Sequence, residues 1–117
     1  MSEGTEIRRG DVVVVRLDPA EGSEVRKTRP AVVVQNDVGN RHANTTIVAP
    51  ATGTHRGYPF EVPVEASDSP FEKDSSVRLD QIRVVSVDRR IHSVVGSLDA
   101  ATMAEIDDAL QLSLGLD

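Results

Sequence analysis

The feature that most constrains this chain is a pair of unbroken apolar runs, Val12-Val13-Val14-Val15 and Ala31-Val32-Val33-Val34. A half-exposed strand alternates apolar with polar residues, whereas four apolar residues in a row suit a strand covered on both faces. Valine also favours the pleated backbone over a helix, because its branched Cβ crowds the preceding helical turn. The first run follows Gly10-Asp11 and closes at Leu17-Asp18-Pro19, a turn signal. The second is entered through Lys27-Thr28-Arg29-Pro30. A cation and a ring that lacks an N–H therefore stand at the mouth of a core strand, where the missing donor is tolerated. Residues 20–29 are polar and include Gly22. They read as a loop of about ten residues, longer than most connections and of the kind that often carries function.

Further along, Asp37-Val38-Gly39-Asn40 reads as a turn and residues 45–50 as a third strand, followed by a polar loop from Gly53 to Pro59. Glu61-Val62-Pro63-Val64 is short and interrupted by proline, which suits an edge strand. Residues 76–85 alternate, with a break near Gln81-Ile82 of the sort a bulge or bend produces. His92 to Val95 form a last short strand. Asp99 is a good N-cap, and Met103, Ile106, Leu110 and Leu114 recur at helical spacing before Gly115, a stripe for core packing. The expected fold is mainly β with a C-terminal helix, an α+β arrangement of five or six short strands in a small twisted barrel or half-barrel.

A length of 117 residues sets one domain, 1–117, with residues 1–7 as a flexible tail. There is no cysteine, so neither disulfides nor thiolate chemistry enter. The N-terminus lacks the basic head and apolar run of a signal peptide, and no apolar stretch nears the roughly 20 residues of a membrane helix. A cytoplasmic protein is expected. The net charge of −6 speaks against general nucleic-acid binding, but it is unevenly spread. Residues 1–60 hold eight Lys/Arg against seven Asp/Glu, while residues 61–117 hold five against twelve. An anion site on the neutral half is permitted.

Several chemistries are unsupported. His42, His55 and His92 have no metal-ligand spacing with one another, so no metal site is expected. Glycine-rich nucleotide loops and a nucleophile elbow are absent. Three aromatic residues, Tyr58, Phe60 and Phe71, leave little for base stacking. Catalysis would have to run on Arg, Thr/Ser, Glu/Asp or an isolated His. Standing alone, Arg29 reads as a solvated strand-end charge, Thr52 as an ordinary strand-end residue and His55 as a surface loop histidine.

An ordered set of motifs changes that. Arg9-Gly10-Asp11-Val12, Leu17-Asp18-Pro19, Gly22-Ser23-Glu24, residues 29–37 (Arg-Pro-Ala-Val-Val-Val-Gln-Asn-Asp), residues 47–52 (Ile-Val-Ala-Pro-Ala-Thr) and Asp80-Gln81-Ile82-Arg83 occur in the order and spacing of the MazF/PemK toxins. The chain resembles this family of bacterial type II toxin–antitoxin modules over nearly its whole length. The resemblance implies a homodimer of SH3-like barrels that cleaves single-stranded RNA at short sequence motifs without metal or cofactor. It implies Arg29 and Thr52 as the catalytic pair, with Glu24 in support. Ser23 and Gln81 would line the RNA groove, and Lys27 and Arg83 complete the expected RNA-contact set. A cognate MazE-like antitoxin with an acidic flexible tail would occupy the same groove. Two other readings of the fold are a gyrase-binding toxin of the CcdB kind and a non-catalytic binding module. The first is disfavoured because the chain has no tryptophan and ends Leu-Gly-Leu-Asp.

The chemistry expected of such a site is economical. RNA brings its own nucleophile, the 2′-hydroxyl, and the protein must align it and stabilise charge at the scissile phosphate. Arg29 suits the second task through two parallel hydrogen bonds, but it is a poor proton acceptor at neutral pH. Thr52 would donate to a non-bridging oxygen, and Glu24 would accept a proton or orient Arg29. The products would be a 2′,3′-cyclic phosphate and a 5′-hydroxyl.

Overall fold

The computed structural model describes residues 6–18, 21, 22, 24 and 27–116. β1 (Asp11–Arg16) pairs antiparallel with β2 (Thr28–Val33), with Val12 opposite Val32 and Val15 opposite Arg29. The other edge of β1 pairs with β7 (Ile91–Ser97), whose register shifts twice, between Val12 and Val13 and between Val14 and Val15. β3 (Thr45–Thr52) lies beside β2 through Ala31–Pro50, Val32–Ala49 and Val33–Val48. Its far edge is shared. β6 (Arg83–Ser86) takes residues 45–48 of β3, and β5 (Ser75–Arg78) takes Ala51 and Thr52. β4 (Glu61–Val64) lies outside β5, at the edge its proline suggests.

The two apolar runs are buried on both faces, apart from Val14, which is half-buried. Val12 and Val32 join Val62, Val77, Leu79 and Ile106 in one cluster, and Val13, Val15, Ala31 and Val33 join Leu17, Val48 and Ile91 in a second. Each fully buried side chain of this size is worth roughly 1.5–3 kcal/mol against exposure. Ile7, which the sequence assigns to a flexible tail, is also buried in the second cluster, so the ordered chain begins before residue 8.

The sheet is not closed into a barrel. Its order is β4-β5-β3-β2-β1-β7, with β6 as a branch on β3. Side-chain packing occupies the approach to β7: the ring of Pro70 lies over Gly96, where an added Cβ would come within 2.6 Å of Pro70 Cγ. Gly96→Ala is therefore expected to cost about 1–3 kcal/mol by overpacking. Urea unfolding would read this directly, and an unchanged midpoint would refute the contact.

Three local expectations change. Asp37–Asn40 is not a simple turn but the start of helix α1 (Asp37–His42), because the Asn36 side chain accepts the Gly39 N–H at 2.8 Å and caps it. The stretch 76–85 is two strands rather than one bulged strand. Its break falls where the partner edge of β3 passes from β5 to β6. A second short helix, α2 (Val87–Arg90), capped by Ser86, precedes a β7 longer than the sequence suggests.

Helix α3 (Ala100–Leu114) matches its sequence signals at both ends. Asp99 accepts the Thr102 N–H at 2.8 Å, and this bond holds its carboxyl below the usual aspartate range. Gly115 ends the helix at φ +73°, the left-handed conformation glycine adopts without a Cβ clash. Ile106 and Ala109 are buried, with Met103 and Leu110 packed against the same cluster. Leu114 is 50% exposed and does not continue the core stripe, since the helix has run past the cluster by its last turn. No helix among the described residues is long and apolar enough to cross a membrane.

Candidate active site

Arg29 is the second residue of β2, not a loop end. Its backbone is fixed opposite Val15, and Pro30 stands opposite Val14. Alternation places Arg29 on the same face as Ala31 and Val33, the face of the second cluster. The β2–β3 register brings a partner to it. Ala31 faces Pro50, so counting two residues further along each strand sets Arg29 across from Thr52. Both residues border one recess of about 400 Å³, whose floor is made by Val12, Ala51 and Phe71 of the first cluster, with Thr28, Pro30, Gly53 and Lys73 around it. The arginine and threonine singled out by sequence thus converge from strands 23 residues apart in the chain.

The remaining sequence candidates divide. Glu24, Gln81 and Arg83 line a second recess of about 470 Å³ together with Pro50 and Asp80. β3 runs between the two recesses, with Pro50 in one wall and Ala51 and Thr52 in the other. Glu24 accepts the Glu21 N–H at 2.8 Å, and its own N–H donates to the Glu21 carbonyl, so it closes its own loop. Arg83 reaches back across the sheet and donates to the Leu17 carbonyl at 2.7 Å. Arg90 donates to the Asp18 carbonyl beside it. These two guanidinium groups hold the outgoing stem of the β1–β2 loop. Lys27 holds the returning stem: its N–H donates to Asp18 at 3.0 Å and its carbonyl accepts the Leu17 N–H. It does so at φ +72°, a left-handed conformation costing a non-glycine residue roughly 1–2 kcal/mol. Ser23 lies outside the described residues.

Sequence reasoning missed a polar arrangement next to Thr52. Thr52 and Ser76 are cross-strand partners in the β3–β5 ladder, and Pro63 is the partner of Ser76 in β4. Ser76, almost fully buried, donates its hydroxyl to Glu61 Oε1 at 3.1 Å and meets His55 Nδ1 at 3.0 Å. Glu61 is itself 5% exposed. Burial alone would raise its pKa, but the Tyr58 and Arg56 N–H groups, the Ser76 hydroxyl and the nearby Arg78 outweigh it, and the carboxyl lies below the usual glutamate range. Arg78, opposite Glu61, is bound by both arms to Asp80 at 2.9 and 2.7 Å, and this pairing raises its pKa. The ring of Phe60 lies 6.0 Å from the Arg78 guanidinium and stacks on Tyr58. The one sequence trace of this cluster is the polar side of the alternation, Ser76, Arg78 and Asp80. Its link to residues 55 and 61 exists only through the sheet. Among the described residues, no three histidine or carboxylate side chains gather as metal ligands.

With this geometry in view, the family comparison is decisive. The model of the PemK-like, MazF-like toxins of type II toxin–antitoxin systems matches residues 8–114. The chain belongs to the PemK/MazF toxin family. Among solved structures it is similar to an endoribonuclease in complex with its cognate antitoxin from a mycobacterial species, at 29% identity and a TM-score of 0.80, covering 95% of this chain and 97% of that one. It is similar also to the Mycobacterium tuberculosis toxin MazF-mt6, at 28% identity and a TM-score of 0.76, covering 92% and 98%. MazF from Deinococcus radiodurans aligns at 26% identity and a TM-score of 0.80, covering 95% and 98%. This PemK/MazF chain thus shares the fold of these relatives over nearly its whole length.

Proposed function

We propose that this PemK/MazF toxin is an endoribonuclease that cleaves single-stranded RNA at short sequence motifs. The observation that carries the reading is the convergence of Arg29 and Thr52 on one recess. Arg29 would grip the scissile phosphate through its planar fork, stabilising charge as the 2′-oxygen attacks. Thr52 now donates its hydroxyl to the Thr54 carbonyl at 3.2 Å, in an exposed turn. On binding RNA it would rotate to a non-bridging oxygen, exchanging one weak bond for a charge-assisted one. Glu24, Gln81 and Arg83, in the adjoining recess, would meet the strand beside the cut, with Lys27 at the returning stem of the β1–β2 loop.

The reaction needs no metal, because the nucleophile belongs to the substrate and the arginine supplies the positive charge. The working unit would be a homodimer, and a cognate antitoxin would inhibit by laying an acidic tail along the same groove. Incubating the purified protein with a long single-stranded RNA in EDTA, then mapping the fragments, tests the reading. Discrete cuts bearing 2′,3′-cyclic phosphate and 5′-hydroxyl ends are expected. Intact RNA, or 3′-hydroxyl ends, would overturn it.

A further inference from the structure

We propose that His55 is the proton acceptor of the RNA cleavage reaction, held in its active tautomer by a relay through Ser76 to the buried Glu61. The inference rests on the endoribonuclease reading and fills the gap that reading leaves, since an arginine is a poor base at neutral pH.

The direction of each hydrogen bond follows from its partners. Glu61 is an ionised carboxylate and only accepts, so the Ser76 hydroxyl proton points to it at 3.1 Å. The Ser76 oxygen must then accept from His55, which places the imidazole proton on Nδ1, 3.0 Å away. Nε2 is left with its lone pair, and His55 makes no other hydrogen bond to a described residue. An exposed ring with one nitrogen anchored and the other presenting a lone pair is the form a general base requires. The negative charge at the far end of the relay stabilises the imidazolium once it forms, as the carboxylate of a Ser-His-Asp triad does.

The relay lies next to the proposed phosphate site. Ser76 is the direct cross-strand partner of Thr52, and the Thr52 hydroxyl, bonded to the Thr54 carbonyl, shapes the turn that leads into His55. Arg29, Thr52 and Ser76 form one row across three strands, each step about 4.8 Å. A phosphate held between Arg29 and Thr52 would carry its ribose within reach of a ring tethered to Ser76. The step balances simply. His55 Nε2 takes the proton of the 2′-hydroxyl, the O2′–P bond forms and the P–O5′ bond breaks. The departing 5′-oxygen takes a proton from water, and the imidazolium returns its proton to solvent.

The test uses a short RNA containing one mapped cut site, under single-turnover conditions, after the wild type has been shown to cleave it. His55→Ala and His55→Gln are expected to lower the cleavage rate by about 100-fold or more with little change in KM, the usual range for loss of a general base. Ser76→Ala, a change in a positioning residue, should lower the rate about 10-fold, and adding it to His55→Ala should cause no further loss, because both act through one ring. A substrate with sulfur in place of the scissile 5′-oxygen needs no proton on its leaving group. The His55→Ala defect should persist on it. If the defect disappears there, His55 acts on the leaving group and the base assignment is wrong. If the His55 variants cleave wild-type substrate at the wild-type rate, or the Ser76 and His55 losses multiply, the relay is refuted while RNA cleavage stands. A wild type that leaves the RNA intact refutes the underlying reading instead.

Discussion

Arg29→Ala is expected to slow RNA cleavage by about 100- to 1,000-fold, or roughly 3–4 kcal/mol at the transition state, the usual consequence of removing one preorganised donor to a developing charge. The fold should survive. Arg29 contributes to the sheet through its backbone, opposite Val15, and alanine keeps those groups. Its neighbours in the ladder, Pro30 and Ala31, fix the strand independently of the guanidinium. Arg29→Lys would retain the charge but lose the planar fork, and should recover only part of the rate. Single-turnover cleavage beside a thermal melt distinguishes these outcomes. A folded Arg29→Ala protein cutting RNA at near the wild-type rate would remove Arg29 from the site.

The largest effect on stability is expected from Ile106→Ala, at about 2–5 kcal/mol, the range for truncating a fully buried aliphatic residue. Ile106 is completely buried, and it is the largest side chain that α3 sets fully inside the cluster of Val62, Val77 and Leu79. A domain of this kind holds only about 5–15 kcal/mol in total, so such a loss is a large fraction. Leu114→Ala, two turns later on the same apparent stripe, should change stability by no more than about 0.5 kcal/mol, because that side chain is half exposed. Urea midpoints of the two variants give the comparison, and equal losses would contradict the packing described.

These residues also mark what the sequence reveals and what it hides. β1, β2 and β3 are legible because continuous valine runs admit few other conformations, and α3 because Asp99 and Gly115 punctuate it. Arg29 and Thr52 were found through the ordered motifs of a family, and the β2–β3 register explains why they belong together. The relay of His55, Ser76 and Glu61 was hidden for the same kind of reason: the β4–β5 ladder brings Glu61 to Ser76 and a loop carries His55 back to it, which no local pattern encodes. Leu114 misleads because helical spacing says which face a residue shares, not how far the core extends along it. That the sheet stays open was equally invisible, since strand order is a matter of which edges pair and not of any local pattern.

The two ends of the loop between Thr52 and Glu61 are set by different means from its middle. Thr52 is anchored in the β3–β5 ladder and Glu61 in the β4–β5 ladder, while residues 53–59 are exposed throughout. Lengthening a loop between fixed ends is inexpensive, about 0.6 kcal/mol for each doubling. The segment can therefore change in length and composition while the strands beneath it keep their spacing. Such a change would spare Arg29 and Thr52, which the strands hold, but would displace His55, which reaches Ser76 from within the loop.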